Sequence, residues 1–213
     1  MEFQPLKYIY EASGNPDAYT LLLLHGTGGD EHDLIPIAQH FGKDLNVLSL
    51  RGNISENGMP RFFRRIGMGI FDEKDLEFRT REMIHFLKEL AAKKKFDVTK
   101  IIALGYSNGA NIAGASLFLQ PDFLAGAILL RPMQPFRYSE IRLSGNHVPV
   151  LIASGKNDPT VNRIDTENYV KVLEENKFNV THFEANAGHN LTSADLDEAV
   201  TWYRQAYLSK HSA

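Results

Sequence analysis

Apolar positions along the chain keep two rhythms. Lys7 to Glu11 alternates and predicts an edge strand. Tyr19 to Leu24 is a near-continuous apolar run, as expected of a strand covered on both faces. Leu45 to Leu50, Ile101 to Leu104, Gly126 to Leu130, Val148 to Ala153 and Asn179 to Ala185 predict five more strands. Helical spacing takes over between them. Leu34, Ile37, Ala38 and Phe41 predict a helix from Glu31 to Phe41, stopped by Gly42. Leu76, Met83, Ile84, Leu87, Leu90 and Ala91 predict a long helix, capped by Asp72 and ending near Lys95; that stripe reads as core. A small-residue helix runs to Leu119, another from Ile164 to Lys177, and Thr192 with Asp195 predicts a capping box on the last. Arg51 to Gly69 reads as a long irregular loop whose aromatic content argues against disorder.

Strand and helix thus alternate along nearly the whole chain. The pattern predicts an α/β fold with a mostly parallel central sheet and helices on both faces. No break in composition, repeat or low-complexity stretch divides it, so residues 1–213 read as a single domain. The connection from Arg131 to His147 is too short for a cap domain, which predicts an open site covered only by loops.

Composition narrows the function. The 213 residues are 43% hydrophobic and 23% charged, which suits a globular domain with a substantial core. The formal net charge is −3, and the basic clusters are short, so nucleic acid is not an expected partner. There is no cysteine, which excludes disulfides, thiolate metal sites and a cysteine nucleophile. Neither a signal pattern nor an apolar run of membrane-spanning length is seen, and the expected location is the cytoplasm.

The chemistry gathers where predicted strands end. After Ile101 to Leu104 the chain reads Gly105-Tyr106-Ser107-Asn108-Gly109 and turns helical. Strand, sharp turn and helix around G-x-S-x-G describe a nucleophile elbow, in which both flanking residues must be small to let the turn close. The helix N-terminus behind the serine favours negative charge developing there. A serine hydroxyl needs a base within hydrogen-bond reach, histidine is the natural one, and a carboxylate must fix the imidazole tautomer. Asp158 follows the strand Val148 to Ala153, and His189 follows the last strand in a loop with Gly188. Their order after Ser107 is that of the α/β hydrolases. His85 and His182 fall inside regular elements, and His25 precedes the serine. The glycine-rich loop His25-Gly26-Thr27-Gly28-Gly29 lacks the Walker A ending and the third glycine of a dinucleotide fingerprint. It reads as an oxyanion loop, with backbone N–H groups of Thr27 and Asn108 as donors.

The stretches LLLLHGTGGDEHDL, GYSNGANIA, SGKNDPTV and AGHNLT resemble the phospholipase/carboxylesterase family of α/β hydrolases. That family also holds acyl-protein thioesterases. The segment from Arg51 to Phe63 is most similar to bacterial carboxylesterases linked to hydroquinone and catechol stress. The resemblance implies an α/β-hydrolase fold, a triad at Ser107, Asp158 and His189, and oxyanion donors at Thr27 and Asn108. Asn108 stands where the thioesterases carry Gln, so the resemblance carries over backbone donation but does not carry over their substrate preference.

These residues predict a serine carboxylesterase acting on small apolar or aromatic esters through an acyl-enzyme, with no metal or organic cofactor. Thioester or lysophospholipid hydrolysis with the same machinery is the near alternative. A non-catalytic protein binding a small aromatic is the distant one. Met59, Phe62 and Phe63, with Ile66 and Met68, are candidate substrate contacts, faced by Met133 and Phe136. The alternative for them is packing that pins a long loop. Arg61, Arg64 and Arg65 read as ion pairs or a solvated face ahead of a contact to an acidic or phenolic substrate. The sequence leaves the oligomeric state open, a homodimer included.

Overall fold

The computed structural model describes residues 2–67, 69–137 and 145–208. In chain order its elements are β1 (Lys7–Glu11), β2 (Thr20–Leu24), α1 (Ile35–Ala38), β3 (Asn46–Arg51), β4 (Ile54–Glu56), β5 (Met59–Arg61), β6 (Arg65–Gly67), β7 (Ile70–Phe71) and α2 (Glu73–Lys94). Then come β8 (Ile101–Tyr106), α3 (Asn108–Leu119), β9 (Gly126–Leu130), β10 (Pro149–Gly155), α4 (Arg163–Glu175), β11 (Asn179–Ala185) and α5 (Ser193–Tyr203). Seven strands make one sheet in the order β1-β3-β2-β8-β9-β10-β11. Only β1 runs antiparallel, against β3; all other neighbours in the sheet are parallel.

Period-two alternation sends neighbouring side chains to opposite faces, and the two faces become two cores. Leu22, Leu24, Ala103, Leu129 and Ile152 face one cluster with residues of α2, α3 and α4. Leu21, Leu23, Ile102, Leu104, Ile128 and Leu151 face the other, with α1 and α5. The central strands are fully buried along their length, which is why they read as unbroken apolar runs. Helix α3 is buried from Asn108 to Phe118, so it lies inside the molecule directly behind the turn that precedes it. Between β9 and β10 the described residues, 131–137 and 145–148, add no helix or strand.

Most elements follow the expected pattern, including the Asp72 cap on α2, the Lys95 left-handed stop and the Thr192–Asp195 capping box on α5. Two differ. The helix expected over Glu31–Phe41 shrinks to the single turn of α1 and a short 3₁₀ stretch, Gln39–Phe41. Pro36 has no N–H to give the His32 carbonyl, so a helix begun at Glu31 breaks there, and i→i−3 turns form instead, with Asp33 N–H on Asp30 O at 3.3 Å and Ile35 N–H on His32 O at 3.2 Å. Pro36 then supplies a first helical turn without an N–H. The loop expected as irregular holds two small hairpins, β4–β5 and β6–β7. Asn57-Gly58 joins the first with φ of 52° and 82°, the left-handed pair that a tight hairpin turn needs.

Candidate active site

Ser107 sits between β8 and α3 at φ 50° and ψ −110°. For a residue with a side chain this backbone costs on the order of 1–3 kcal/mol, and the surroundings must hold it. They do so through Ser107 N–H to Leu130 O on β9, at 2.9 Å, and Asn111 N–H to Ser107 O, also 2.9 Å. The flanking glycines are required sterically. A Cβ on Gly105 would collide with Gly109 O, and one on Gly109 with Leu24 O.

His189 lies in the loop between β11 and α5. Its Nε2 is 2.9 Å from Ser107 Oγ, and its Nδ1 is 2.8 Å from Asp158 Oδ2. Asp158, in the loop after β10, has a side chain only 1% exposed. Its second oxygen accepts from Thr160 and Val161 N–H at 2.7 and 3.1 Å. Asp158 therefore presents one fixed oxygen to the imidazole, and that contact assigns the proton to Nδ1 and leaves Nε2 free to accept from serine. The Asp158 and His189 loops run side by side: Lys156 N–H reaches Ala185 O and Asn157 N–H reaches Ala187 O, each at 2.9 Å. A Cβ on Gly155 would strike Gly188 O, so this closeness depends on glycine.

The loop after β2 completes the rim. Gly28 N–H is taken by Pro60 O at 2.9 Å and Gly29 N–H by Gly26 O at 3.2 Å. Among the described residues no acceptor takes the N–H of Thr27. As the first residue of α3, Asn108 likewise has no intrahelical acceptor for its N–H. His25 fixes this loop from beneath. Gly52 N–H donates to its Nε2 at 3.0 Å, so its Nδ1 proton goes to Gly26 O at 2.6 Å. Burial pushes the His25 pKa down, consistent with a neutral ring packed at a tilt against Phe62.

Asn108 contributes a side chain that sequence reasoning left unused. Its Oδ1 accepts from Phe62 N–H at 2.7 Å and ties the elbow to the end of β5. The same segment holds Thr27: Arg61 Nη1 donates to Thr27 Oγ1 at 2.7 Å. Arg61 is 3% exposed and ion-paired to Glu56, which also pairs with Arg65. Arg64 pairs with Asp72 and Asp75. All three arginines are thus engaged within the protein.

The candidate substrate contacts divide. Phe62, Phe63 and Phe136 are 2%, 0% and 6% exposed and belong to the core, so they anchor their segments and offer little surface. Met59 is 39% exposed and packs where Gly28 turns. Met133 is half-buried, held by its N–H to Asn111 Oδ1 at 2.7 Å, one turn of α3 from Ser107. Met68 lies outside the described residues. Ile66 and Ile70 stand out at 76% and 48% exposure on the second hairpin. The unchosen histidines are elsewhere: His85 pairs with Glu89 on α2, and His182 bonds Ser154 across β10 and β11.

Arg131, just past β9, was not legible in the sequence as part of this region. It is 1% exposed, adopts φ 54°, and binds both oxygens of Asp195 at 2.7 and 2.8 Å. Burial opposes the Asp195 charge, but bonds from Arg131 and Thr192 outweigh it and hold the carboxyl below its usual range. Among the described residues no group of three or more potential ligands could hold a metal, and no helix is long and apolar enough to cross a membrane.

Comparison with known proteins gives this arrangement a context. No protein-family model matches the chain. It is 43% identical over 204 residues to the Bacillus subtilis (strain 168) protein named "Putative hydrolase MhqD", covering 95% of this chain and 100% of that one. The crystal structure of a Bacillus cereus carboxylesterase superposes with a TM-score of 0.92 at 46% identity, over 95% of each chain. A structure of YahD with malic acid gives 0.88 at 31% identity, over 94% of this chain and 99% of that one. Arabidopsis thaliana SOBER1, at 19% identity and a TM-score of 0.75, shares the fold. The fold, these relatives and a serine elbow at the carboxyl edge of a parallel sheet agree: the chain belongs to the carboxylesterase family of the α/β hydrolases.

Proposed function

We propose that the chain hydrolyses small apolar or aromatic carboxylic esters through an acyl-enzyme, with Ser107 as nucleophile, His189 as base and acid, and Asp158 as its orienting carboxylate. The observation that carries this reading is the unbroken hydrogen-bond line from buried Asp158 through His189 to a serine held at positive φ. Ser107 Oγ attacks the ester carbonyl while His189 Nε2 takes its proton. The carbonyl oxygen becomes an oxyanion, received by the N–H groups of Thr27 and Asn108. Each such donor typically contributes about 10²–10³ in rate. His189 then passes its proton to the leaving alcohol. Water attacks the acyl-enzyme by the same route and restores Ser107.

The surroundings favour uncharged substrates. Met59 packs against Gly28 of the glycine-rich loop, Met133 is tied to Asn111 one turn of α3 from Ser107, and both are pliable apolar groups. Arg61, Arg64 and Arg65 are committed to carboxylates of the protein, which leaves little cationic attraction for an anionic ester.

A fluorophosphonate probe with peptide mapping, run beside a graded panel of alkyl and aryl esters, matched thioesters and lysophospholipids, tests the reading. Labelling is expected on the peptide containing Ser107, with turnover highest on short alkyl or aryl esters. Faster turnover of thioesters or lysophospholipids would replace the substrate class. No labelling and no turnover of any ester would overturn the enzymatic assignment and favour a binding protein.

A further inference from the structure

The geometry points to Arg131 as the positioning residue that holds the His189 turn against Ser107, an inference that rests on His189 being the base. A guanidinium has five N–H donors in a rigid plane and no acceptor. Five hydrogen bonds leave Arg131. Nε donates to Gly188 O at 3.0 Å. Nη1 donates to Ala153 O at 3.2 Å and Asp195 Oδ1 at 2.7 Å. Nη2 donates to Asn190 O at 3.1 Å and Asp195 Oδ2 at 2.8 Å. The carbonyls on either side of His189 are therefore bound to one side chain. The carbonyl of His189 itself accepts from Tyr106 OH at 3.1 Å, next to the nucleophile. Three consecutive carbonyls of one turn are captured from outside it.

The position of Arg131 gives this capture a purpose. Its own N–H bonds Ala153 O at 2.7 Å, while the residue before it, Leu130, accepts from Ser107 N–H. One short stretch thus touches the serine turn, the strand leading to Asp158 and the loop carrying His189. Asp195 does two things at once. It caps α5 through Thr192 N–H and Oγ1, at 2.8 and 2.7 Å, and it holds the guanidinium in plane. Both charges are buried, at 0% and 1% side-chain exposure, so neither leaves its partner cheaply. Lysine in the same place keeps the charge but offers three donors from a single point, and cannot span both carbonyls and both carboxylate oxygens.

Displacement of a catalytic group by about 1 Å costs roughly 10²-fold in rate. Arg131→Lys is therefore expected to lower kcat by roughly 10- to 100-fold with KM within about twofold. The decisive arm is the double variant. If Arg131 acts through the imidazole, Arg131→Lys adds no loss on a His189→Ala background. A role in stability alone would lower the residual activity there as well. A folded Arg131→Lys with unchanged kcat, or with equal loss in both backgrounds, overturns the inference. Should Arg131→Lys not fold, Asp195→Asn decides: a lowered kcat at unchanged KM supports the clamp, and a kcat equal to the parent's overturns it. Full activity in His189→Ala would instead overturn the base assignment, so the two failures are distinct.

Discussion

Two serine–histidine pairs lie in this molecule at nearly the same distance. Ser107 Oγ is 2.9 Å from His189 Nε2, and Ser154 Oγ is 2.8 Å from His182 Nε2. Their surroundings differ in every respect that chemistry requires. Ser107 is lifted out of the backbone line at a strained turn, in front of a buried helix N-terminus. Ser154 stands within β10, and its partner lies across the ladder on the edge strand β11. His189 has a buried carboxylate on its other nitrogen; among the described residues none hydrogen-bonds the other nitrogen of His182. Proximity of hydroxyl and imidazole therefore does not by itself distinguish the two pairs. A held tautomer and a strained presentation are what separate the two.

The largest test of that contrast removes each hydroxyl. Ser107→Ala should lower kcat by roughly 10⁴-fold or more with the fold intact, while Ser154→Ala leaves ester turnover within about twofold. Parallel progress curves on an activated ester, with circular dichroism as control, check both. Asp158→Asn should come next, at roughly 10²- to 10⁴-fold, because it spoils tautomer and orientation yet leaves the oxyanion donors in place. Its KM should stay near the parent's.

A smaller loss is expected from Asn108→Ala. The backbone donor survives, but the bond to Phe62 N–H that ties elbow to loop is gone. About a tenfold fall in kcat, with weaker binding of a boronic-acid transition-state mimic, is the expected outcome.

The smallest effect is in stability against pH. Burial lowers the pKa of His25 and of His182 below the ordinary 6.5. The unfolded chain then binds more protons than the folded one once pH drops below that value. Stability is full above about 6.5 and declines as pH falls toward the folded pKa values. Urea midpoints at about pH 7.5 and pH 5 should differ in the parent. His25→Gln should shrink that difference more than His182→Gln, since His25 is fully enclosed and the His182 ring is only partly shielded on the edge strand.

Local pattern made much of this legible. The unbroken apolar runs at Leu21–Leu24 and Ile101–Leu104 are what strands covered on both faces require. The glycines around Ser107 marked a turn that a Cβ would block, as the collisions at Gly105 and Gly109 bear out. The Asn57-Gly58 pair is itself a hairpin signal, so the first hairpin within the stretch expected to be irregular follows from local turn chemistry. Phe62, Phe63 and Phe136 show why such residues mislead: an aromatic in a loop reads alike whether it faces a ligand or the core, and only burial separates the cases. The short α1 shows the reverse, a helical stripe that Pro36 interrupts by withholding an N–H from the turn before it.

By itself, then, the sequence determined element types, their alternation and the residue kinds that must gather at the strand ends, because periodicity and steric demand act over a few neighbours. Tertiary structure decided which polar atoms meet. His189 reaches Ser107 across 82 positions, and Arg131 reaches Asp195 across 64. Those contacts exist only after the sheet stacks its strands and draws their loops to one rim. Nothing in an arginine's immediate neighbours tells whether its fork will end in water or in five bonds around a single turn.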